Sequence, residues 1–326
     1  MRKNIALMAG GNSPEYVISL QSAAQIEQIL DKTKYAPYPI YVKGHRWFYR
    51  DAEGRETDVD KNDFSLTLNG EKIALEYALL LIHGTPGEDG LLQAYFEMMD
   101  IPFSSSGFVA STVTFDKSLC KRALAPINVP MARDMLLVRG ETVDPDAVIG
   151  RLGLPLFVKP NASGSSVGVT KVRNREELAA AVEKAFREGE QVLIEEFMEG
   201  TEVSQGVAVF GGKPYLFPPT EIVSRKEFFD YEAKYTPGMS EEITPARVSP
   251  EIRERLDELT LKIYRALGCR GLARVDYIVR EGIPHMIEIN TVPGMSGGSI
   301  VPKQAKAMGL GLTELFNLII EDTLNR

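Results

Sequence analysis

Residues 272–290 read LARVDYIVREGIPHMIEIN, and the polar residues of this stretch decide the fold around it. Successive side chains of a β-strand point to opposite faces, so Arg274 and Asp276 share one face of a first strand. Glu288 and Asn290 share one face of a second strand, and isoleucines alternate with them. The stretch therefore predicts two adjacent strands, each with one polar and one apolar face.

The connection between these strands, residues 281–283, is short and contains a glycine, as an antiparallel hairpin requires. A three-residue loop there would place Asp276 opposite Glu288. Two carboxylates on one sheet face repel each other and lose hydration, so the pair indicates a nearby cation. With Asn290 they form a set of oxygen ligands without His or Cys, which suits Mg²⁺. The alternative is a solvated hairpin face, but the glycine-rich loop at residues 293–299 favours a metal site.

A second polar loop follows Lys159, the last residue of a predicted strand. Residues 161–168 read NASGSSVG. Backbone amides and hydroxyls such as that of Ser166 can surround phosphate oxygens, and the lysine adds a positive charge. The loop is not a Walker A sequence, because no Gly-Lys-Ser/Thr follows it. A plain turn is the alternative, and the neighbouring metal prediction favours phosphate binding.

The first third of the chain alternates short apolar strands with helices. Strand, glycine loop and helix in succession indicate a parallel α/β sheet whose ligand edge is at the carboxyl ends of the strands. The predicted strands are residues 5–9, 38–42 and 79–82, and the predicted helices are residues 19–30 and 91–99. Residues 51–69 are polar and irregular, which predicts a surface hairpin and loop.

Near residue 110 the pattern changes to an α+β arrangement. Predicted helices are residues 111–125, 147–152 and 175–187, and predicted strands are residues 154–159, 167–172, 191–195, 203–210 and 221–223. Ser249-Pro250-Glu251 starts a further helix, which ends at Gly268 before the hairpin and two terminal helices. We predict three domains, residues 1–110, 111–205 and 206–326.

The composition is that of a globular protein with 44% hydrophobic residues. Its net charge of −8 argues against a nucleic-acid or membrane-surface binder, since both partners are anionic. Cys120 and Cys269 could be bridged, but two isolated buried thiols are the prediction. No run approaches the ~18 apolar residues of a membrane span, and no signal peptide is recognisable, so we expect a cytoplasmic protein.

Eight short segments, taken in order, match one enzyme family over nearly the whole chain. They are Gly10-Gly11-x-Ser13-x-Glu15, His83-Gly84-x-x-Gly87-Glu88-Asp89-Gly90, Asp116-Lys117, Lys159-Pro160, Gly164-Ser165-Ser166-Val167-Gly168, Glu232-Ala233-Lys234-Tyr235, Arg274-x-Asp276 and Glu288-x-Asn290-x-x-Pro293-Gly294-Met295. Together they resemble the ATP-grasp superfamily and, within it, the D-alanine–D-alanine ligase family. The segments at His83 and Glu232 are specific to this ligase family.

The resemblance implies a three-domain ATP-grasp architecture, α/β and α+β, with a parallel α/β domain at the N-terminus. It implies ATP as cosubstrate and two Mg²⁺ ions, with Mn²⁺ as a substitute. The residues implied in nucleotide binding are Lys117, Lys159, Ser166 and Lys234 at the phosphates, and Glu195, Glu196, Phe197, Met198 and Glu202 around adenine and ribose. The residues implied as metal ligands are Asp276, Glu288 and Asn290.

The resemblance also implies how D-alanine is handled. ATP would phosphorylate the carboxylate of a first D-alanine, and the amine of a second would attack the acyl phosphate. The residues implied are Glu15 and His83 for the first substrate, Ser165 and Tyr235 as a gate with Glu15, Ser299 and Ile300 for the second substrate, and Arg274 with the Gly294 amide for the tetrahedral intermediate. Residues 224–244 would form a lid, because an acyl phosphate is labile in water.

The implied product, D-alanyl-D-alanine, is a precursor of peptidoglycan, and relatives are commonly homodimers. A D-alanine–D-lactate ligase, another ATP-grasp carboxylate–amine ligase and a catalytically silent nucleotide-binding module are the alternatives. Tyr235 favours the dipeptide over the depsipeptide by resemblance. Tyr16-Val17-Ile18 departs from the family pattern, which has charged positions after Glu15, so recognition of the first substrate is expected to differ.

Overall fold

The computed structural model describes residues 2–164, 167–224 and 240–325. A mixed sheet opens the chain, and its elements are β1 (Lys3–Gly10), α1 (Tyr16–Ile29), β2 (Tyr35–Lys43), β3 (Arg46–Arg50), β4 (Glu56–Asp58), β5 (Ser65–Leu68), β6 (Glu71–Ala74), β7 (Tyr77–Leu80) and α2 (Leu91–Met98). The strand order is β4-β3-β2-β1-β7, and β5 and β6 form a separate hairpin. Strand β1 is parallel to β2 and β7, which confirms the predicted parallel centre, whereas β3 and β4 extend it in antiparallel fashion.

The middle of the chain forms an antiparallel sheet of four strands. Its elements are α3 (Phe108–Phe115), α4 (Lys117–Leu124), a 3₁₀ turn (Ala125–Ile127), β8 (Asp134–Val138), α5 (Pro145–Leu152), β9 (Leu156–Pro160), β10 (Thr170–Val172), α6 (Glu177–Phe186) and β11 (Gln191–Glu196). The strand order is β10-β9-β11-β8. Helices α5 and α6 pack their buried residues against it in one apolar cluster.

The prediction of one helix over residues 111–125 is wrong, because Asp116 divides it. Asp116 has an extended backbone (φ −85°, ψ 105°), and its carboxylate accepts a hydrogen bond from the Leu119 amide. Aspartate favours such N-cap positions over helix interiors. The break makes Lys117 the first residue of α4, and its amide donates to the Asn161 carbonyl at 3.1 Å, beside the polar loop.

The last sheet contains the hairpin predicted over residues 272–290. Its elements are β12 (Thr201–Phe210), β13 (Lys213–Leu216), β14 (Thr220–Ser224), β15 (Ser240–Ile243), α7 (Pro250–Ala266), β16 (Leu272–Arg280), β17 (Ile283–Asn290), α8 (Ile300–Ala307) and α9 (Leu312–Leu324). The order is β15-β14-β12-β16-β17, with β13 also paired to β12. The predicted boundary after residue 205 falls within β12, and both domain boundaries stay predictions.

The hairpin of β16 and β17 turns on two residues, so the predicted three-residue loop is wrong. Glu281 and Gly282 both have positive φ, 52° and 75°, as a type I′ turn requires, and Ile283 already pairs with Arg280. An irregularity after Asp276 then shifts the register by one residue. This bulge restores the predicted opposition of Asp276 and Glu288, which an unbroken two-residue hairpin would have lost.

One apolar core joins the first and last sheets. It contains Leu7 of β1, Tyr77 of β7, Leu272 of β16 and Phe316 of α9, all nearly inaccessible to solvent. Interiors of this kind are close-packed and transmit displacements, so the two sheets hold a fixed relation to each other. The polar ends of β1, β16 and β17 are therefore positioned by shared packing.

The two cysteines are unbridged and buried, as predicted. Burial raises the pKa of both thiols to about 12, so neither is a ready nucleophile. Across residues 2–164, 167–224 and 240–325, no helix combines the length and apolar character needed to cross a bilayer.

Candidate active site

An ion pair within one strand lies at the centre of the site. The Arg274 guanidinium donates from Nε to Asp276 Oδ1 at 2.9 Å and from Nη2 to Oδ2 at 2.7 Å. Ser204 Oγ of β12 donates to the same Oδ1 at 2.5 Å. Burial alone would lower the pKa of Arg274, but the adjacent Asp276 carboxylate outweighs it and raises the pKa further above its usual range. The arginine is therefore charged at any physiological pH.

The second carboxylate of the hairpin meets a lysine from helix α4. Lys117 Nζ, in the first turn of α4, lies 3.5 Å from Glu288 Oε2 and donates to the Ser163 carbonyl at 2.9 Å. Asn290, opposite Arg274 in the sheet, accepts a hydrogen bond from the Val292 amide at 2.8 Å through its Oδ1. The division of the helix at Asp116 thus brings a cation to the acidic hairpin.

A buried group of alternating charges supports the other predicted lysine. Glu195 accepts from Lys159 at 2.5 Å and from Lys121 at 2.7 Å, and Lys121 also lies 3.1 Å from Asp134. Burial raises the pKa of Glu195, but the two lysines more than offset this and hold it below its usual value. Lys121 was missed from sequence, although its place one helical turn after Lys117 was a usable signal.

Two pockets meet at these charges. The inner pocket, about 300 Å³, lies between the first and last sheets, and the outer pocket, about 500 Å³, lies between the second and last sheets. Both are lined by Lys117, Ser163, Gly164, Arg274, Glu288 and Ile300, which we call the shared wall. Groups bound in the two pockets would therefore face each other beside Lys117, Arg274 and Glu288.

Every predicted site residue in the described part of the chain lines one of the two pockets. The inner pocket has Glu15, His83, Lys117, Arg274, Glu288, Asn290, Gly294, Ser299 and Ile300. The outer pocket has Lys117, Lys159, Glu195, Glu196, Phe197, Met198, Glu202, Arg274, Asp276, Glu288 and Ile300. Ser165, Ser166, Lys234 and Tyr235 lie outside the described residues, as does most of the predicted lid at residues 224–244.

The inner pocket contains hydrogen-bond acceptors beside a nearly buried Glu15. His83 Nδ1 lies 3.1 Å from the Val292 carbonyl, so Nδ1 carries the proton and Nε2 is the acceptor. That Nε2 is buried and has no hydrogen-bond partner among residues 2–164, 167–224 and 240–325. Burial lowers the pKa of His83, and the nearby Glu15 opposes this only in part. A neutral imidazole thus offers a free acceptor in a pocket that suits a cationic donor.

Glu88 is a second acid of this pocket to which sequence reasoning gave no role. Its Oε2 accepts from the Gly84 amide at 2.7 Å. Burial, together with the nearby Glu15, raises the pKa of Glu88 to about 8. The acid in the His83-to-Gly90 segment was visible in sequence, but its surroundings include Arg274 and Glu288, which are far away in sequence. Near neutral pH it is a protonated acid and adds no negative charge to the pocket.

The N-terminus of α8 faces the inner pocket. Ser299 caps the helix with an extended backbone and makes no side-chain cap hydrogen bond. Its hydroxyl lies 2.8 Å from that of Ser296, and a Cβ added to Gly294 would lie 2.8 Å from it. Free amides and the helix dipole make such an end attractive to carboxylates.

The outer pocket has apolar walls and polar ends. Its apolar lining residues are Phe157, Val167, Val169, Phe197, Met198, Ile222, Ile278 and Ile287. The Glu196 carboxylate is engaged by Arg133, whose Nε and Nη2 donate at 2.9 and 2.7 Å. A slot of this kind accepts a flat, apolar ring system while the lysines at its inner end receive anionic groups.

The hairpin oxygens are the set from which the sequence predicts a metal site. In residues 2–164, 167–224 and 240–325, no cluster of three or more His, Cys, Asp or Glu side chains is arranged to hold a metal. The predicted set has two carboxylates, Asp276 and Glu288, and the amide of Asn290. Few protein oxygens, completed by phosphate oxygens and water, are what Mg²⁺ commonly uses, so the donor set fits that ion.

The unusual segment after Glu15 contributes one apolar side chain to the site. Ile18 lines the inner pocket, one turn of α1 beyond Glu15. Val17 is 59% exposed and points away from the core. The departure noted in the sequence therefore places a branched apolar group where a charged neighbour was expected.

Two protein-family models match this chain. The model described as D-ala D-ala ligase N-terminus matches residues 4–106, and the model described as D-ala D-ala ligase C-terminus matches residues 126–321. Together they cover the two sheets that border the inner pocket and every lining residue of the outer pocket except Lys117, which lies between the two matched ranges.

Relatives match over their full lengths. The D-alanine–D-alanine ligase of Parabacteroides distasonis is 48% identical over 325 residues, 99% of this chain and 98% of the relative. The solved VanG D-Ala:D-Ser ligase of Enterococcus faecalis is similar with a TM-score of 0.88 at 30% identity, over 98% of this chain and 99% of that one. The D-alanine–D-alanine ligase of Bacillus anthracis complexed with ATP has a TM-score of 0.80 at 30% identity, over 99% and 98%.

Replacing Glu88 with Gln should remove a loss of stability with rising pH. The unfolded chain releases this proton near pH 4.5 and the folded chain near pH 8, so the folded state binds more protons between them. Wild-type stability therefore falls as pH rises through that window. Relative to Glu88→Gln, the free energy of unfolding should fall by up to about 1.4 kcal/mol per pH unit.

Urea unfolding of both proteins at several values between about pH 5 and pH 8 measures this difference. Glu183→Gln, a change at an exposed helical position, is the control and should track the wild type. A difference between Glu88→Gln and wild type that does not vary with pH would contradict the assignment.

Proposed function

The chain belongs to the D-alanine–D-alanine ligase family, and we propose how its two pockets divide the ATP-dependent joining of two D-alanine molecules. The observation that carries the proposal is the shared wall, where Lys117, Arg274 and Glu288 line both pockets. ATP occupies the outer pocket, and the amino acids occupy the inner one. Phosphoryl transfer and peptide-bond formation take place at the wall, and the dipeptide serves peptidoglycan synthesis.

The reaction begins with two anions approaching each other. A carboxylate oxygen of the first D-alanine attacks the γ-phosphorus, the bond from that phosphorus to the β,γ-bridging oxygen breaks, and ADP leaves. Lys117 and Arg274 neutralise this approach from the wall, and Lys159 holds the phosphates from the outer pocket. Ser166 and Lys234, outside the described residues, are assigned to the nucleotide by resemblance alone.

The nucleotide base fits the apolar slot of the outer pocket. Phe197 and Met198 supply its walls, while Glu195, Glu196 and Glu202 lie at its polar edges. Glu195 acts mainly by fixing Lys159, since its carboxylate is already held by two lysines. A solved relative that is similar over nearly the whole chain is complexed with ATP, which supports ATP as the nucleotide in this proposal.

Asp276, Glu288 and Asn290 are the residues that would hold Mg²⁺. The ion would supply charge neutralisation at the phosphate oxygens. Arg274 occupies both carboxylate oxygens of Asp276 on one side, which fixes the orientation of that ligand. The oxygen-only donor set accepts Mn²⁺ as well.

The first D-alanine is bound through its ammonium group and the second through its carboxylate. Glu15 and the free Nε2 of His83 accept from the ammonium of the first D-alanine. The N-terminus of α8, at Ser299 and Ile300, receives the carboxylate of the second. The ammonium of the second D-alanine loses one proton to solvent, and the resulting amine attacks the acyl carbon. The nitrogen then loses a second proton to solvent, and the C–O bond to the phosphoryl group breaks, so phosphate leaves with the former carboxylate oxygen. Arg274 and the Gly294 amide donate to the oxyanion of the tetrahedral intermediate.

Ser165 and Tyr235 complete a gate with Glu15 in this proposal. Both assignments rest on the resemblance, because these residues lie outside the described part of the chain. The gate and the lid at residues 224–244 would keep water from the acyl phosphate.

An acceptor assay tests the substrate assignment. Wild-type enzyme with ATP and Mg²⁺ should release ADP in proportion to D-alanine and form D-alanyl-D-alanine. Addition of D-lactate or D-serine as competing acceptor should yield little mixed product, since 48% identity links the chain to a D-alanine–D-alanine ligase. Absence of ADP release with D-alanine alone would refute the assignment, and predominant mixed product would transfer it to the competing acceptor.

Removal of either hairpin carboxylate should abolish turnover. Asp276→Asn and Glu288→Gln are expected to lower kcat/KM by at least about a hundredfold, because Mg²⁺–ATP loses a charged ligand. Initial rates over a Mg²⁺ titration measure the effect. Asp257→Asn is the control, because that acid is on α7, pairs with Arg253 and lines neither pocket. Near-normal rates of both site variants at saturating Mg²⁺ would contradict the metal assignment.

A further inference from the structure

Gln304 lies behind the shared wall without entering either pocket. It belongs to α8 and is fully buried. Residues four apart occupy the same face of a helix, so Gln304 lies directly below Ile300, which lines both pockets. Whatever fixes Gln304 therefore also fixes the end of α8 that faces the inner pocket.

Strand β12 changes its neighbour beside this glutamine. Residues 202–204 pair with β14, and residues 207–210 pair with β13, which leaves a gap in the ladder between them. Buried backbone groups need hydrogen-bond partners. Gln304 supplies them, since its Nε2 donates to the Ser204 carbonyl at 2.8 Å and its Oε1 accepts from the Gly206 amide at 3.0 Å. Its side-chain amide thus takes the place of a peptide group from a neighbouring strand.

The Gln304 side-chain amide makes three hydrogen bonds, two as donor and one as acceptor. Nε2 also donates to Thr220 Oγ1 at 3.1 Å, at the start of β14. A Cβ at Gly206 would lie 2.8 Å from Gln304 Oε1, so only glycine permits the approach. A buried amide with both donor hydrogens and its oxygen engaged is costly to disturb, because each lost partner leaves a desolvated group behind.

Ser204 connects this contact to the charged centre of the site. Its carbonyl accepts from Gln304, and its hydroxyl donates to Asp276 Oδ1 at 2.5 Å. The α8 end and the Asp276 carboxylate are therefore joined through one residue of β12. This path between the two halves of the reaction is short, and its Gln304 and Ser204 members are fully buried.

We propose that Gln304 is a positioning residue, which sets the α8 N-terminus relative to Asp276 so that the acceptor amine meets the acyl phosphate. This inference rests on the proposed function, in which the end of α8 receives the carboxylate of the second D-alanine. Gln304 acts through the backbone of β12 and touches no substrate. Its loss displaces the acceptor and leaves the nucleotide in place.

Gln205 provides a matched control on the same strand. It is equally buried, but strand alternation turns its side chain to the opposite face of the sheet. There it donates to the Phe217 carbonyl at 3.1 Å and accepts from Thr260 at 2.8 Å. Gln205→Met and Gln304→Met thus remove comparable buried hydrogen bonds from one region, one away from the pockets and one beside them.

Steady-state kinetics and thermal unfolding of the full-length variants test the proposal. Both variants should lower the melting temperature. Only Gln304→Met should raise the KM of the second D-alanine, by about tenfold or more, because small displacements of a reacting group carry large rate costs. Its KM for ATP should stay within about twofold of wild type, since the outer pocket is unchanged.

If Gln304→Met does not fold, Gln304→Glu replaces it, because it keeps the acceptor for Gly206 and loses both donors; the same rise in the second KM is expected. An acceptor KM equal to that of Gln205→Met, or a proportional rise in the KM of ATP, overturns the proposal and leaves the proposed function intact. Loss of D-alanine-dependent ADP release in the wild type would instead refute the function itself.

Discussion

The pairing of Arg274 with Asp276, opposite Glu288, is the interaction on which the rest of the site depends. The two charges of the pair are largely shielded, with 16% and 13% of their side chains exposed. Removing a charged group from water costs on the order of several kcal/mol unless protein partners replace its hydration. Each neighbouring feature supplies such a partner. Ser204 donates a hydrogen bond to Asp276. Lys117 lies near Glu288 because the preceding helix ends at Asp116 and α4 begins at Lys117.

In the proposed function, the same charges determine where the reaction takes place. Joining a carboxylate to a phosphate brings like charges together, and the joining needs fixed cations without bulk water. Lys117 and Arg274 line both pockets, so they contact either reactant without moving between them. Glu88, protonated near neutral pH, adds an acid to the inner pocket without adding charge. In the proposed arrangement, Glu15 and His83 attract the ammonium group of the amino acid.

Local periodicity was enough to predict the charged face of the hairpin, because alternation along a strand depends only on the strand itself. The turn was misjudged, and only the bulge after Asp276, a feature with no signal in the sequence pattern, restored the opposition to Glu288. Asp116 was read as a helix interior, although its capping preference could have marked the break. Glu88 is buried near Glu15, Arg274 and Glu288, and Lys121 of helix α4 binds Glu195; contacts between such distant segments are revealed by neither periodicity nor motif.

In the proposed reaction, a carboxylate oxygen of the first D-alanine attacks the γ-phosphorus at the shared wall before the peptide bond forms. Turnover of D-alanine labelled with ¹⁸O in its carboxylate, followed by mass analysis of the released phosphate, measures this step. Because the acyl C–O bond breaks when the amine attacks, we expect one labelled oxygen in each phosphate formed with a dipeptide. Unlabelled phosphate accompanying dipeptide would show that no acyl phosphate forms and would exclude this mechanism.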